Sequence, residues 1–447
     1  MKRRKWLVTL AIGGVFALVA SACSNNDNGG SATGSSGSSG STGSTVDCNA
    51  DQFGCVTVAA GAPIKIGTLL SISGPTKSLG DDSNAGVELA IEYLNGNFDS
   101  GPGQLLGHDI SLVKEDDGCS ADGGQQGGTK LAADPSIVAV IGTTCSSSAL
   151  GVADKILSDK GILLISPSNT NPSLTEAGTH QPFYLRTAYN DKIQAAIVTD
   201  FVVQKLQAAT AATIHDESPY ATALTEVFGT DFAAQNGTIS SAESIQSSDT
   251  DFKALLTKIA QQRPNVLYYP DFDPACELIA QQAKAISGFA DTTLIGSDGC
   301  LTDTYIKTGG AAVNGTYASG PDLSAFTQGD FYSNQFIPAY KTLVGTLPTA
   351  AYHAQAYDAF NMLAAAITKV AVKNADGSLT IPRTALKDAI FATSGFEGIT
   401  GTITCNQYGD CAGATTVGIY KAPAFPAVDA NAKPVFSETK TLQEVSG

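Results

Sequence analysis

Two short polar turns carry the residues best suited to chemistry. In residues 141–175, IGTTCSSSALGVADKILSDKGILLISPSNTNPSLT, one apolar run ends at residues 143–148 and the next at residues 166–170. Hydroxyl side chains and main-chain N–H groups gathered at a strand end make a socket for a small anion, more so where a helix starts and presents its positive end. Ser146 is expected to be the N-cap of a helix over 146–160, where Ala149, Leu150, Val152, Ala153, Ile156 and Leu157 recur at helical spacing. Cys145 precedes it in the same turn. An ordinary capped helix would read the same way, so the second turn, with Ser168 and Thr170, carries the weight. It follows the next strand, 161–165, and a right-handed crossover sets both turns side by side at the carboxyl edge of one parallel sheet.

Other strand ends add partners. The run 211–215 leads into Asp216, Glu217, Ser218, Pro219 and Tyr220, which places a tyrosine at a helix start. The run 266–269 ends at Pro270, Asp271 and Phe272, an aromatic residue in a polar loop, and 293–296 ends at Ser297, Asp298 and Gly299. A carboxylate at 298 could receive an ammonium group, with an N-capping role as its equal rival. Two hydroxyl turns for a carboxylate, one acid for an ammonium and aromatic cover for a side chain together match a zwitterionic α-amino acid. Catalysis finds no such support. There is no GxSxG elbow, and none of His108, His180, His215 and His353 stands in the context of a general base. Neither a GxGxxG nor a Walker spacing occurs, so no nucleotide or other cofactor is expected, and no enzyme activity.

The elements that must position these residues alternate. Strand patterns at 64–70, 110–114, 137–141 and 161–165 alternate with helical patterns at 85–95, 127–133 and 146–160. A second series follows Arg186, with helices at 193–206, 222–235, 252–262 and 276–287 between strands at 211–215, 238–244, 266–269 and 293–296. Such alternation predicts an α/β chain with parallel sheets, and its length exceeds what one core usually fills. Two Rossmann-like lobes joined by a three-strand hinge are therefore expected, 63–188 plus 320–398 against 189–319 plus 399–447, with the ligand in the cleft. A long helix is predicted over 350–370, and 398–420 reads as a β-hairpin turning at 406–409.

The N-terminus points outside the cytoplasm. Residues 1–22 have a basic start, an apolar stretch from Trp6 to Ala20 and small residues before Cys23, the pattern of a secretory signal. A Cys after small residues resembles a bacterial lipobox, with Cys23 lipidated and anchored to the outer face of the cytoplasmic membrane; Ala20 departs from the usual Leu. Residues 24–46 are almost wholly Gly, Ser, Thr and Asn, and a flexible linker is expected to reach residue 62. Removing residues 1–22 takes four basic residues and moves the formal charge from −16 to −20. That balance argues against nucleic acid as a partner. Beyond Cys23 lie Cys48, Cys55, Cys119, Cys145, Cys276, Cys300, Cys405 and Cys411, an even set without CxxC spacing, as suits disulfides and not a metal site. Cys48 with Cys55 and Cys405 with Cys411 are spaced to close short loops, and Cys119 ends a strand that is expected to neighbour Cys145.

Over about residues 64–420 the chain resembles the periplasmic binding proteins of the branched-chain (leucine/isoleucine/valine) amino-acid type, type I folds that serve ABC importers. The resemblance rests on IGTLLSISGPTKSLG at 66–80, DDGC at 116–119, IGTTCSSS, LLISPSNTNPSLT, LRT at 185–187, IHDESPY at 214–220, VLYYPDF at 266–272, IGSDG at 295–299 and YDAFN at 357–361. It implies that Ser146 and Thr170 hold the ligand carboxylate and ammonium, that Ser168 offers its main-chain carbonyl, and that Asp298 neutralises the ammonium where the family carries Glu. It implies an aromatic wall at Tyr220, Phe272 and Tyr352, with Leu79 where the family has Tyr. The family's disulfide matches Cys119 with Cys145, and Cys276 with Cys300 would follow the same logic. The implied partners are a small amino acid, the permease subunits and, through the lipid, a membrane; a monomer is expected. Two alternatives stand beside this: the same fold binding an amide, urea or aromatic acid, and a lipoprotein that senses a ligand for a signalling system. A hydrolase is a distant third.

Overall fold

The computed structural model describes residues 47–99, 101–326 and 328–446. The expected signal peptide, Cys23 and the linker up to residue 46 lie outside the described residues. Strand β1 (Cys55–Val58) is the first strand among the described residues, so residues 47–62 are not the end of a linker. Val56 and Val58 are buried, and a disulfide joins Cys48 to Cys55.

The next five strands are β2 (Ile64–Leu70), β3 (Ile110–Asp116), β4 (Ile137–Gly142), β5 (Leu163–Ser166) and β6 (Tyr184–Arg186). They form one parallel sheet in the order β3-β2-β4-β5-β6. Every residue of β4, IVAVIG, is buried, as a strand covered by helices on both faces requires. Val138, Ile141, Leu163 and Ile165 pack on one face with the long helix His353–Val370, while Val140, Leu164, Leu131 and Leu157 fill the other. Each such side chain contributes about 1.5–3 kcal/mol on burial.

The second sheet holds β7 (Thr210–His215), β8 (Thr238–Ser244), β9 (Val266–Tyr268), β10 (Thr293–Gly296) and β11 (Tyr317–Pro321), again parallel. The chain then returns to the first half. There β12 (Val372–Lys373) and β13 (Leu379–Pro382) form a small sheet with β1, and β14 (Phe396–Glu397) pairs with β15 (Thr402–Ile403). Finally β16 (Ala414–Lys421) and β17 (Phe436–Thr441) join the second sheet antiparallel, giving the order β17-β16-β11-β10-β9-β7-β8. The two halves expected from the alternation are thus each built on their own sheet, and the chain passes between them three times, near residues 187–190, at 322 and over 404–413.

Three expectations need correction. Residues 146–160 are not one helix: Ser146–Ser148 and Asp154–Ser158 are separated by Leu150 at ψ 108° and Gly151 at φ 70°, a left-handed turn that suits glycine. The cap is Cys145, and Ser146 is the first helical residue. Residues 398–420 are not a hairpin, because β15 pairs with β14 while β16 pairs with β11 and β17; the tight turn at 406–409 is real and lies within the loop closed by Cys405–Cys411. The third crossing also falls after Ile403, which is buried in the first half, and not at 399. The remaining disulfides are Cys119–Cys145 and Cys276–Cys300. Among the described residues no helix is long and apolar enough to cross a membrane.

Candidate functional site

The carboxyl ends of both sheets face a common cleft. A narrow pocket lies there, lined by Leu79, Thr144, Cys145, Ser146, Ser168, Tyr220, Phe272, Asp298, Gly299 and Tyr352. Leu79 comes from the helix Lys77–Leu94 after β2, Cys145 and Ser146 follow β4, and Ser168 follows β5. Tyr220 follows β7, in the first turn of the helix Pro219–Ala234; Phe272 follows β9, Asp298 follows β10, and Tyr352 caps the helix His353–Val370. Of the residues singled out from the sequence, Thr170 alone does not line the pocket. It is buried, with its hydroxyl beside the Asp191 carboxyl.

The first turn is held by charge and covalent bonding together. Asp117, fully buried, accepts hydrogen bonds from Thr144 N at 2.6 Å and Cys119 N at 2.8 Å, while the disulfide ties Cys119 to Cys145. Burial pushes the Asp117 carboxyl up to about 7. The two turns also bond to each other. Asn171 N donates to Ser146 Oγ at 3.3 Å, and Ser168 Oγ donates to Thr144 O at 2.8 Å. Because the short helix Ser146–Ser148 has hardly any dipole, the socket's character comes from these hydroxyls and not from a helix end.

Across the cleft, Asp298 is buried and is not an N-cap; Ser297 holds that place. Its Oδ1 accepts from Gln194 Nε2 at 2.7 Å and Tyr220 Oη at 2.8 Å, and its Oδ2 accepts from Tyr352 Oη at 3.0 Å. All three donors are neutral. Burial raises the Asp298 carboxyl above its ordinary value, and the three donors hold it back. Tyr220 packs on Phe272 with ring centroids 5.1 Å apart, making one apolar wall.

Sequence reasoning missed the groups behind Asp298. Asp191 is fully buried, and burial first, then the nearby Asp298, raises its carboxyl well above the ordinary value, with the Thr170 hydroxyl and Arg186 holding it back. Gln194 bridges Asp298 and Ser319 Oγ, 2.8 Å away. The hydroxyls of Tyr189 and Tyr268 are buried beside those of Tyr352 and Ser319. Asp191 and Gln194 stand in the opening turns of a helix, where the sequence offers only an acid near an N-terminus as a signal. The pocket therefore carries one buried carboxyl, Asp298, with Asp191 behind it, and no cation among its described lining residues.

The family described as periplasmic binding protein matches residues 63–417. The chain belongs to that family. Among curated periplasmic binding proteins, the Leu/Ile/Val-binding protein BraC3 of Rhizobium johnstonii is 28% identical over 74% of this chain and 84% of its own. The Leu/Ile/Val-binding protein of Escherichia coli K12 is 27% identical over 60% of this chain and 71% of its own. Among solved structures, the leucine binding protein LivK from Thermotoga maritima superposes with a TM-score of 0.72 at 23% identity, covering 85% of this chain and 99% of that one. A solute binding protein from R. palustris, in complex with benzoate, gives 0.68 at 22% identity, covering 84% and 95%. These structural likenesses establish the periplasmic-binding fold with its two α/β lobes.

Proposed function

We propose that this chain is an exported, lipid-anchored receptor that binds a small apolar amino acid of the branched-chain class between its lobes and delivers it to the permease of an ABC importer. The observation that carries the reading is Asp298, a buried carboxyl at the pocket with neutral donors on both oxygens and no cation beside it. A ligand ammonium would complete it, with the carboxylate toward Ser146 and the 166–170 turn, and the side chain against Leu79, Tyr220, Phe272 and Tyr352. The curated relatives named Leu/Ile/Val-binding proteins support the same ligand class. An aromatic acid would bring an anion to the buried Asp298 carboxyl without neutralising it, which disfavours the benzoate-type alternative. The protein acts as a monomer that binds without catalysing, and Cys23 carries the lipid; a Cys23→Ser variant that stayed with the membranes would remove the anchor from this reading.

Thermal unfolding of residues 47–447 against the twenty amino acids, their amides, urea and benzoate tests the ligand. A compound at 100 times its Kd adds about 2.7 kcal/mol. Shifts confined to leucine, isoleucine, valine and close neighbours are expected. Shifts only with compounds that lack an ammonium would overturn the reading.

A further inference from the structure

We infer that Arg186 is a positioning residue of the ligand socket: its guanidinium holds the second polar turn in shape, and Asp410 fixes that guanidinium from the third chain crossing. The inference rests on the site reading above. Arg186 ends β6 and its side chain is fully buried. Nη1 donates to the main-chain carbonyls of Asn169 at 3.1 Å and Asn171 at 2.8 Å, the residues on either side of Thr170. Nη2 donates to Asp410 Oδ2 at 2.8 Å and Thr175 Oγ1 at 2.7 Å, and Nε reaches Asp410 Oδ2 at 3.2 Å. One planar fork thus serves two carbonyls, a hydroxyl and a carboxylate, a pattern that a lysine ammonium cannot reproduce.

Asp410 belongs to the loop that Cys405–Cys411 closes, and this loop docks on β6 through Arg186 N to Gly409 O at 2.9 Å and Cys411 N to Arg186 O at 3.2 Å. Asn190, in the first crossing, donates Nδ2 to the same carboxylate oxygen at 3.3 Å. A single buried ion pair therefore joins the ligand turn to two of the three crossings. Within the turn, the amides of Ser168 and Asn169 bond to Ser166 Oγ at 3.2 and 2.9 Å, and Asn171 N bonds to Ser146 Oγ; their geometry depends on where the flanking carbonyls are pinned.

The test uses Arg186→Lys, which keeps the charge for Asp410 but loses the fork, beside Leu386→Ala, a core truncation in the same half that does not line the pocket. Three quantities are read for each: the ligand-free Tm, the Kd by calorimetry for whichever panel compound shifts the wild type most, and amide exchange over residues 168–171 by mass spectrometry. Arg186→Lys is expected to raise the Kd about tenfold or more and to speed exchange at 168–171. Leu386→Ala is expected to keep the wild-type Kd and exchange at a comparable loss of Tm. Wild-type affinity in Arg186→Lys, or an equal loss in both variants, would overturn the positioning role. If the wild type binds nothing in the panel, the amino-acid reading fails on its own, and exchange decides the inference: faster exchange in Arg186→Lys alone keeps it, and unchanged exchange removes it.

Discussion

Asp298 sets the character of the pocket because its carboxyl is buried yet offered only neutral donors. Asp298→Ala is expected to weaken binding of an amino acid by more than tenfold in calorimetry, since a desolvated ammonium loses its partner. The same carboxyl predicts a pH dependence. Its value is raised in the ligand-free protein, so a growing share is protonated as pH falls, and an ammonium gains nothing from a neutral acid. Affinity should therefore fall as pH is lowered, and Asp298→Asn should flatten that slope. Asp117 gives a stability prediction of its own. Raised from 3.8 to about 7, it binds its proton more tightly when folded. Its contribution to stability is full below about pH 4 and is lost as pH climbs toward 7, with at most about 4 kcal/mol involved at 1.36 kcal/mol per unit. Asp117→Asn should remove that decline in denaturant unfolding, while a decline that persisted in the variant would assign it elsewhere, with Asp154 and Asp358, both raised to about 6, as the next candidates.

At the scale of elements, the helices Lys77–Leu94 and His353–Val370 meet where Gly86 leaves no room. A Cβ there would come 2.1 Å from His353 O. Gly86→Ala is expected to cost about 1–3 kcal/mol by forcing the helices apart, visible as a lower Tm. Because those helices carry Leu79 and Tyr352, its affinity should fall as well. The same scale shows what the sequence could tell. Eight strands of the two parallel sheets were legible, most of them as apolar runs ending in polar residues, and the socket residues at those ends came with them, while the short β6 and β11 were not read as strands. The break at Gly151 was not, since the apolar period continues through Leu150 and Val152 while the backbone turns left-handed between them. The pairing of β16 was hidden for a different reason: alternation marks a strand but not its neighbour, and β11, its partner, lies about a hundred residues upstream. Asp191 and Gln194 stayed invisible because only the packed arrangement brings a helix start behind Asp298.

At the scale of the whole molecule, three crossings among the described residues link two halves that are each built on their own sheet. With a pocket this confined, a ligand needs an opened form to enter. Ligand is therefore expected to lower the radius of gyration in small-angle scattering, and identical profiles with and without ligand would exclude such a motion. Strand β1 adds a mechanical consequence. It pairs with β13 in register from Cys55 with Pro382 to Val58 with Leu379, and Asp51 accepts from Thr384 N at 2.8 Å, so residues 51–58 are riveted to the half built on the first sheet. Any pull arriving from the N-terminal side is borne by that half alone, which makes it the fixed jaw of a vice and the other half the one free to swing.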